Sequence, residues 1–353
     1  MSSTAQPTGG EGLRADLVFE GGGVKGIALA GAYLELTDRG YQPECVAGTS
    51  AGAITAALVA VGYSGAELQD IVLNQMHFPD FEDHSLLDDL GAAGQLEEFL
   101  KRRGIHSGKY FLNWMRQLLQ AKGRTTFGDL RTPAGGEGAR AYALQVIASD
   151  LTGRSMLVLP RDADQLGIDP DQLEIAEAVR MSMSIPVFFQ PVVHHNPKTG
   201  AGHVIVDGGI LSNYPIWLFD APGDATPRFP TFGMMLVAPG QDAPVLPAQA
   251  PGAVLPDVGA DIEFLKLIVE TMAEAHDRFY VDQANYARTI PIPTLGIRTT
   301  QFDISPAQTR ALFDSGSNAA AKFLDSWDFE AYKARFRSGP PPGRRESVLA
   351  PKP

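Results

Sequence analysis

Residues 16–63 constrain the fold of this 353-residue chain more than any other stretch, because two short apolar runs alternate with two long ones. The short runs Asp16–Glu20 and Glu44–Ala47 predict strands. The long runs Val24–Arg39 and Ala51–Val61 are apolar on every side, as in helices buried against a sheet. Strand, helix, strand and helix in succession are typical of a right-handed βαβ unit and a parallel sheet. The sequence therefore predicts an α/β protein.

The rest of the chain continues this alternation. Further strands are predicted at 141–148, 156–159, 204–206, 232–237 and 294–297, an extended apolar segment at 185–193, and helices at 173–181, 261–287 and 306–323. The pattern of segment 65–131 is mainly helical, and we interpret it either as an insertion that caps a site or as ordinary crossover helices. The polar ends at 1–14 and 337–353 are predicted to be disordered.

Composition excludes several classes of function. The formal net charge of −12 argues against nucleic acid as a partner and against steady attachment to anionic lipid. The one cysteine, Cys45, is predicted to be inert core, and its being alone excludes an internal disulfide or a Cys-rich metal site. Met1–Arg14 has no apolar signal-peptide region, and no apolar run reaches the length of a membrane span, so a cytoplasmic location is expected.

A candidate nucleophile follows the second predicted strand. Gly48-Thr49-Ser50-Ala51-Gly52 fits the nucleophile-elbow pattern, in which a serine occupies a sharp turn between a strand and a helix. Gly48 and Gly52 permit that turn because they carry no Cβ atom. An apolar strand precedes the motif and an apolar helix follows it, as the pattern requires. We therefore predict that Ser50 is a nucleophile, with a plain strand–helix turn as the alternative.

A glycine-rich corner, Gly21-Gly22-Gly23-Val24-Lys25-Gly26, precedes the first long helix. Unpaired backbone N–H groups and the positive end of the helix dipole bind an anion or a developing oxyanion at such a place. The spacing of Gly21, Gly23 and Gly26 also matches a dinucleotide fingerprint, with Glu44 as the acid about 20 residues on. A nucleotide-binding protein is therefore the alternative, although the elbow one βαβ unit later favours the oxyanion site.

A serine nucleophile needs a base, and histidine is the usual one. Ser50, Asp207 and His276 follow the chain order of an α/β-hydrolase triad. However, His276 lies on the apolar stripe of a predicted helix, which is more typical of a core residue. The other candidates are His194, His195 and His203; His194 and His195 precede a turn and are predicted to be exposed.

Asp207 is the better candidate for the base. It ends an apolar strand and is followed by Gly208 and Gly209, which would bring its carboxylate to the sheet edge that carries the other two corners. A free aspartate is a weak base, but apolar surroundings raise its pKa toward a working value. A turn-forming Asp-Gly pair is the alternative.

These motifs, taken in order, resemble those of the patatin-like phospholipases, which are serine lipid acyl hydrolases. The matching segments are the oxyanion loop Gly21–Gly26, the elbow Gly48–Gly52, the motif Asp207–Gly209 and the stretch Ala178–Phe189, in which Met181 replaces a small residue. The resemblance covers residues 16–237 and is specific because three motifs recur in order. It implies a three-layer α/β/α fold with a mainly parallel central sheet, and a catalytic domain over 15–330.

The resemblance also implies a mechanism. Ser50 and Asp207 would act as a dyad without histidine, metal or cofactor, and the oxyanion-loop residues would be Gly21, Gly22, Gly23 and Lys25, the last in place of a common arginine. The substrate would be a lipid or ester, with transient contact to a membrane surface and no nucleic acid partner. The run 185–189 would line an acyl groove or pack in the core. A catalytically idle lipid-binding member is a further alternative, and the sequence does not predict an oligomeric state.

Overall fold

The computed structural model describes residues 12–81, 104–132, 138–220, 226–238, 268–269, 271–272 and 282–337. Most of both predicted disordered ends, most of the predicted helix at 261–287 with His276, and the middle of segment 65–131 lie outside the described residues. The first strand begins at Leu13, two residues inside the end that was predicted to be disordered. The domain boundaries therefore stay predictions.

Ten strands and eight α-helices lie wholly within the described residues, and residues 268–269 and 271–272 are helical as well. The strands are β1 (Leu13–Phe19), β2 (Tyr41–Thr49), β3 (Gly104–His106), β4 (Leu144–Asp150), β5 (Ser155–Leu159), β6 (Val187–Phe189), β7 (Val192–His195), β8 (Gly202–Asp207), β9 (Thr231–Val237) and β10 (Thr289–Pro293). The helices are α1 (Ile27–Asp38), α2 (Ala51–Ala60), α3 (Gly65–Asp70), α4 (Lys109–Ala121), α5 (Ile175–Ser182), α6 (Gln283–Tyr286), α7 (Pro306–Leu324) and α8 (Phe329–Phe336). The predicted βαβ unit is confirmed.

Five strands form the parallel part of the central sheet, in the order β10-β9-β1-β2-β4. Phe19 of β1 lies opposite both Gly48 of β2 and Met234 of β9. The two glycine-bearing corners that follow β1 and β2 therefore reach the same edge of the sheet, since carboxyl ends of parallel strands meet there. This is the edge that the sequence predicted.

The antiparallel strands β5 and β8 both pair with β4, and the register decides on which side of it each lies. The strand β5 pairs with residues 146–150 of β4, whereas β2 pairs with 144–147 and β8 with 148–150. A strand has only two hydrogen-bonding edges. The strand β5 occupies one edge of β4 along residues 146–150, where β4 also pairs first with β2 and then with β8. Hence β2 and β8 share the other edge end to end, and their carboxyl ends face each other.

Buried side chains cover both faces of the sheet and give the three layers. One face packs against α1, α2, α4, α5 and α7, with Phe19, Leu29 and Phe313 among the residues of its core. The opposite face packs against a segment at 214–219 and Tyr286 of α6. The helices α1 and α7 approach closely at glycines, because a Cβ atom on Gly316 would lie 1.8 Å from the carbonyl oxygen of Ala28. Cys45 is a buried free thiol, as predicted.

Three predicted elements differ from the structure. The strand expected at 294–297 lies at Thr289–Pro293 instead, because β10 pairs with β9 alone and an edge strand tolerates prolines. The extended segment 185–193 divides into β6 and β7, which belong to different sheets. The mainly helical segment 65–131 contains β3, which pairs with β6. The sequence also gave no prediction of α8.

Candidate active site

Ser50 occupies a sharp corner between β2 and α2. Its backbone has φ 52° and ψ −124°, a left-handed conformation that L-residues rarely adopt. The flanking glycines are required by space: a Cβ atom on Gly48 would lie 2.2 Å from the carbonyl oxygen of Gly52, and one on Gly52 would lie 2.2 Å from that of Phe19. The local geometry is therefore that of a nucleophile elbow.

The end of α5 holds the backbones of both corners. The backbone N–H of Ser50 donates to Oγ of Ser182 at 2.8 Å, and the N–H of Asp207 donates to the carbonyl oxygen of Ser184 at 2.9 Å. The side chain of buried Arg180 in turn donates to Oγ of Ser184 and, at 2.8 Å, to the carbonyl oxygen of Gln190. One helical end therefore fixes the positions of Ser50 and Asp207 relative to each other.

Asp207 lies against Ser50, and its surroundings change its acidity. Burial raises the pKa of Asp207 to about 7, while the neighbouring Ser50 hydroxyl and the Gly209 N–H lower it in part. The Gly209 N–H donates to Oδ1 at 2.7 Å. The other oxygen, Oδ2, is buried and makes no hydrogen bond of ordinary geometry within the described part of the chain. A carboxylate with a pKa near neutrality and a free oxygen beside a hydroxyl is suited to accept a proton.

The glycine corner presents backbone N–H groups to the same place. The Gly21 N–H donates to the carbonyl oxygen of Asn213 at 3.0 Å, and the Val24 N–H to that of Thr299 at 3.1 Å. Gly22 and Gly23 lie between these two residues in the chain, and their N–H groups have no acceptor among the described residues. Gly23 has φ +55°, and a Cβ atom there would lie 2.1 Å from the Thr299 oxygen. Gly22 lines the same cleft as Ser50, so its free N–H, with that of the adjacent Gly23, forms a potential oxyanion site.

The remaining motif residues allow this close packing. A Cβ atom on Gly26 would lie 2.7 Å from Cβ of Ala51, and one on Gly208 would lie 2.3 Å from the carbonyl oxygen of Ile147. Lys25 is buried and lines the same cleft as Ser50. The structure thus brings every residue of the three predicted motifs into one region.

A cleft beside Ser50 is partly open to solvent. Ile185, Ile210, Leu236 and Val269 contribute apolar walls. Of the run 185–189 that was predicted either to line a groove or to pack in the core, only Ile185 lines the cleft, whereas Val187, Phe188 and Phe189 are buried. The cleft is therefore suited to an apolar group next to a polar reacting centre.

The histidines considered as bases lie elsewhere or outside the described residues. His195 is exposed as predicted, whereas His194 is half-buried, contrary to the prediction, with Nε2 2.8 Å from the carbonyl oxygen of Leu166. Nδ1 of His203 is 2.7 Å from Oδ2 of Asp150. His276 lies outside the described residues, so the triad stays untested. Within the described ranges, no group of three potential ligands is arranged to hold a metal ion.

Glu44, the acid of the dinucleotide fingerprint, does not lie at the carboxyl edge of the sheet. Glu44 lies within β2, five residues before its end, where its carboxylate pairs with Arg14 at 2.6 Å. A ribose-binding acid would have to lie at the carboxyl edge of the sheet, near the glycine corner. This position counts against the nucleotide-binding alternative.

Sequence reasoning missed two residues that shape the site. Ser182, which is fully buried, binds the Ser50 N–H, and its only signal was its position in the Ala178–Phe189 stretch. Asn213 closes the glycine corner, since its Nδ2 donates to the carbonyl oxygen of Gly21 at 3.0 Å. No local pattern marks Asn213 in the sequence.

The fold and the site together define an α/β protein with its candidate site at the carboxyl edge of a mainly parallel sheet. A family model described as patatin-like phospholipase matches residues 17–220, and the chain belongs to this family. Membership places it in a class of lipid hydrolases. No described helix is long and apolar enough to cross a membrane.

Individual relatives agree with this assignment. YqhO of Bacillus subtilis (strain 168) is 35% identical over 89% of this chain and 99% of its own length. Triacylglycerol lipase 4 of Saccharomyces cerevisiae is 27% identical over 58% of this chain, but only 22% of the lipase is covered. The crystal structure of VipD from Legionella pneumophila matches 88% of this chain and 67% of VipD, with a TM-score of 0.52 and 21% identity, which supports the fold alone. The predicted three-layer α/β/α fold is thereby confirmed.

Proposed function

We propose that this chain is a serine acyl hydrolase that cleaves carboxylic esters of lipids, with Ser50 as nucleophile and Asp207 as base. The observation that carries the proposal is the buried Asp207 carboxyl, with a pKa of about 7, beside a serine at a strained corner. The family supports a lipid substrate, and the apolar walls of the cleft support an acyl chain as the bound group.

The reaction would proceed through an acyl-enzyme. Oγ of Ser50 attacks the ester carbonyl carbon while its proton passes to Oδ2 of Asp207. The N–H groups of Gly22 and Gly23 bind the negative oxygen of the tetrahedral intermediate. Its collapse releases the alcohol, which takes the proton from Asp207. Water then attacks the acyl-enzyme, Asp207 accepts a proton from it, and the carboxylic acid leaves as Ser50 recovers its hydroxyl hydrogen.

Turnover of p-nitrophenyl butyrate and labelling by a fluorophosphonate test the two roles separately. We expect Ser50→Ala to abolish both, and Asp207→Asn to reduce turnover by about 10⁴-fold, as losing a base-side residue does in serine hydrolases. Retention of turnover by both folded variants would refute the dyad. A wild-type protein that neither labels nor turns over would instead favour the idle lipid-binding alternative.

A further inference from the structure

Two hairpins extend the sheet beyond the candidate site. The first joins β4 to β5 through residues 151–154, and the second joins β7 to β8 through residues 196–201. Asp207 lies opposite Ala148, so the turn at Leu151 is three residues further out along β4. At about 3.3 Å per residue, the hairpin ends project roughly 10 Å past the level of Asp207.

One face of these hairpins carries an apolar row. Val193 of β7 lies opposite Val204 of β8. The N–H of Leu151, just after β4, donates to the Val204 carbonyl oxygen at 2.9 Å. The three side chains therefore form a row across neighbouring strands. Val193 is 57% exposed and Leu151 51% exposed. Met156 and Val206 flank Ser149 in the next row toward the core. The exposed row therefore lies next to two further apolar side chains nearer the core, Met156 and Val206.

The opposite face of the hairpins is already covered. Nδ1 of His203 binds Asp150, and His194 and Asn196 lie within hydrogen-bond distance of carbonyl oxygens at Leu166 and Gln165. The hairpins are therefore held in place from one side only. Their apolar row, by contrast, has no covering element among the residues the structure describes.

Two cations stand at the turns of these hairpins. Arg154 and Lys198 are exposed, and neither has an ion-pair partner within the described ranges. The turns themselves contain no Asp or Glu, in a chain of net charge −12. An apolar row bordered by unpaired cations fits the boundary between the phosphate groups and the acyl chains of a phospholipid layer.

A second copy of the chain would need a larger surface. Stable association buries about 800 Å² on each partner, which three aliphatic side chains do not supply. We propose that Leu151, Val193 and Val204, with Arg154 and Lys198, form a docking surface for a phospholipid bilayer. The surface would bring the cleft at the same sheet edge to its lipid, so this inference rests on the proposed function. The net charge of the chain opposes anionic lipid and keeps the docking transient.

Flotation with vesicles of phosphatidylcholine and a minor fraction of phosphatidylglycerol tests the proposal, with Ser50→Ala as the parent so that no lipid is consumed. We expect the double variant Leu151→Gln/Val193→Thr to lower partitioning by at least about tenfold. Arg154→Asn and Lys198→Gln should each lower it by about fivefold, and less in high salt. Leu13→Gln is the matched control, because Leu13 is an exposed leucine, 42% accessible, at the opposite sheet edge.

Unchanged partitioning of the double variant, or an equal loss for Leu13→Gln, would overturn the docking surface. So would a drop in molecular mass of the double variant by light scattering without loss of vesicle binding, since that result assigns the row to self-association. In the Ser50-containing protein, the ratio of turnover on vesicles to turnover on p-nitrophenyl butyrate should fall by the same factor as partitioning. Absence of all turnover would refute the proposed function, whereas flotation would still decide the docking.

Discussion

At the scale of single residues, Asp207 shows how burial changes the acidity of a carboxyl group. An aspartate with a pKa of 3.8 binds protons too weakly to help a serine at neutral pH. Burial raises this pKa to about 7, and the neighbouring Ser50 hydroxyl and the Gly209 N–H lower it only in part. The charged form is therefore disfavoured in the folded protein, and reactivity and stability should depend on pH in opposite directions.

The first prediction concerns the pH dependence of activity. We expect kcat/KM for p-nitrophenyl butyrate to fall about tenfold for each pH unit below about 7, because only the ionised Asp207 accepts the serine proton. Stopped assays from about pH 5 to about pH 9 check this. A profile that is flat down to about pH 5 would contradict Asp207 as the base.

The same shift predicts the stability of Asp207→Asn. The pKa of Asp207 is higher in the folded chain than in the unfolded one, so ionisation costs stability as pH rises through about 7. The asparagine variant lacks this cost and keeps an oxygen for the Gly209 N–H. Its unfolding free energy, relative to the wild type, should rise by up to a few kcal/mol between acidic and alkaline pH. A constant difference across that range would contradict the raised pKa.

At the scale of elements, α5 connects the two halves of the candidate site. Ser182, its last residue, accepts the backbone N–H of Ser50, and Ser184, two residues after the helix, accepts that of Asp207. These two contacts join strands β2 and β8, which do not pair with each other. Small displacements of reacting groups cost large factors in rate, so the end of α5 should affect catalysis without touching substrate.

We therefore predict that Ser182→Ala lowers kcat by about ten- to a hundredfold while KM changes much less. The rate of fluorophosphonate labelling at Ser50 should fall with kcat. Ser182→Cys, which retains a weak acceptor of similar size, should recover part of the loss.

The control for this substitution is Ser212→Ala, because Ser212 is also buried and its hydroxyl has no partner within the described residues. Its removal should leave kcat close to that of the wild type. If both alanine variants lose activity equally, or if Ser182→Ala changes only the melting temperature, Ser182 is structural and not a positioning residue.

At the scale of the whole molecule, a buried carboxylate paired with a partly exposed arginine ties the sheet together at the edge opposite the site. Asp16 of β1 is fully buried, and its carboxylate accepts from Arg140, from the Cys45 N–H at 3.2 Å and from the Thr231 hydroxyl. Burial still raises the pKa of Asp16 to about 6, which Arg140 opposes. These contacts link β1, β2, β9 and the approach to β4.

We predict that Arg140→Gln lowers the unfolding free energy by about 2 kcal/mol at alkaline pH, because it leaves a buried carboxylate without its cation. The loss should shrink as pH falls through about 6 and Asp16 takes up a proton. Denaturant unfolding at acidic and alkaline pH measures this. Arg131→Gln is the control, since its pair with Asp171 is exposed and should matter little. Equal losses for the two variants would contradict the prediction.

Local patterns were enough to predict the parts of the chain that fold around short-range signals. The β1–α1–β2–α2 unit, the elbow at Ser50 and the turn after Asp207 all depend on glycines and apolar runs that lie next to one another. The partners of Asp16, the contacts of Asn213 and the sharing of one edge of β4 join residues far apart in the chain. The strand β10 was predicted at the wrong position because it contains prolines, which are tolerated here since β10 lies at the edge of the sheet. Contacts between residues far apart in the chain cannot be predicted from the pattern of one short segment.

Because β2 and β8 pair end to end with one edge of β4, the register on β4 sets the spacing between Ser50 and Asp207. Thr49, the residue before Ser50, lies opposite Ile147 of β4. Asp207 lies opposite the next residue of β4, Ala148. The hairpin turns at 151–154 and 196–201 can therefore gain or lose length without altering that spacing. A single-residue deletion inside β4, by contrast, would shift Asp207 relative to Ser50 and turn the neighbouring side chains to the wrong face.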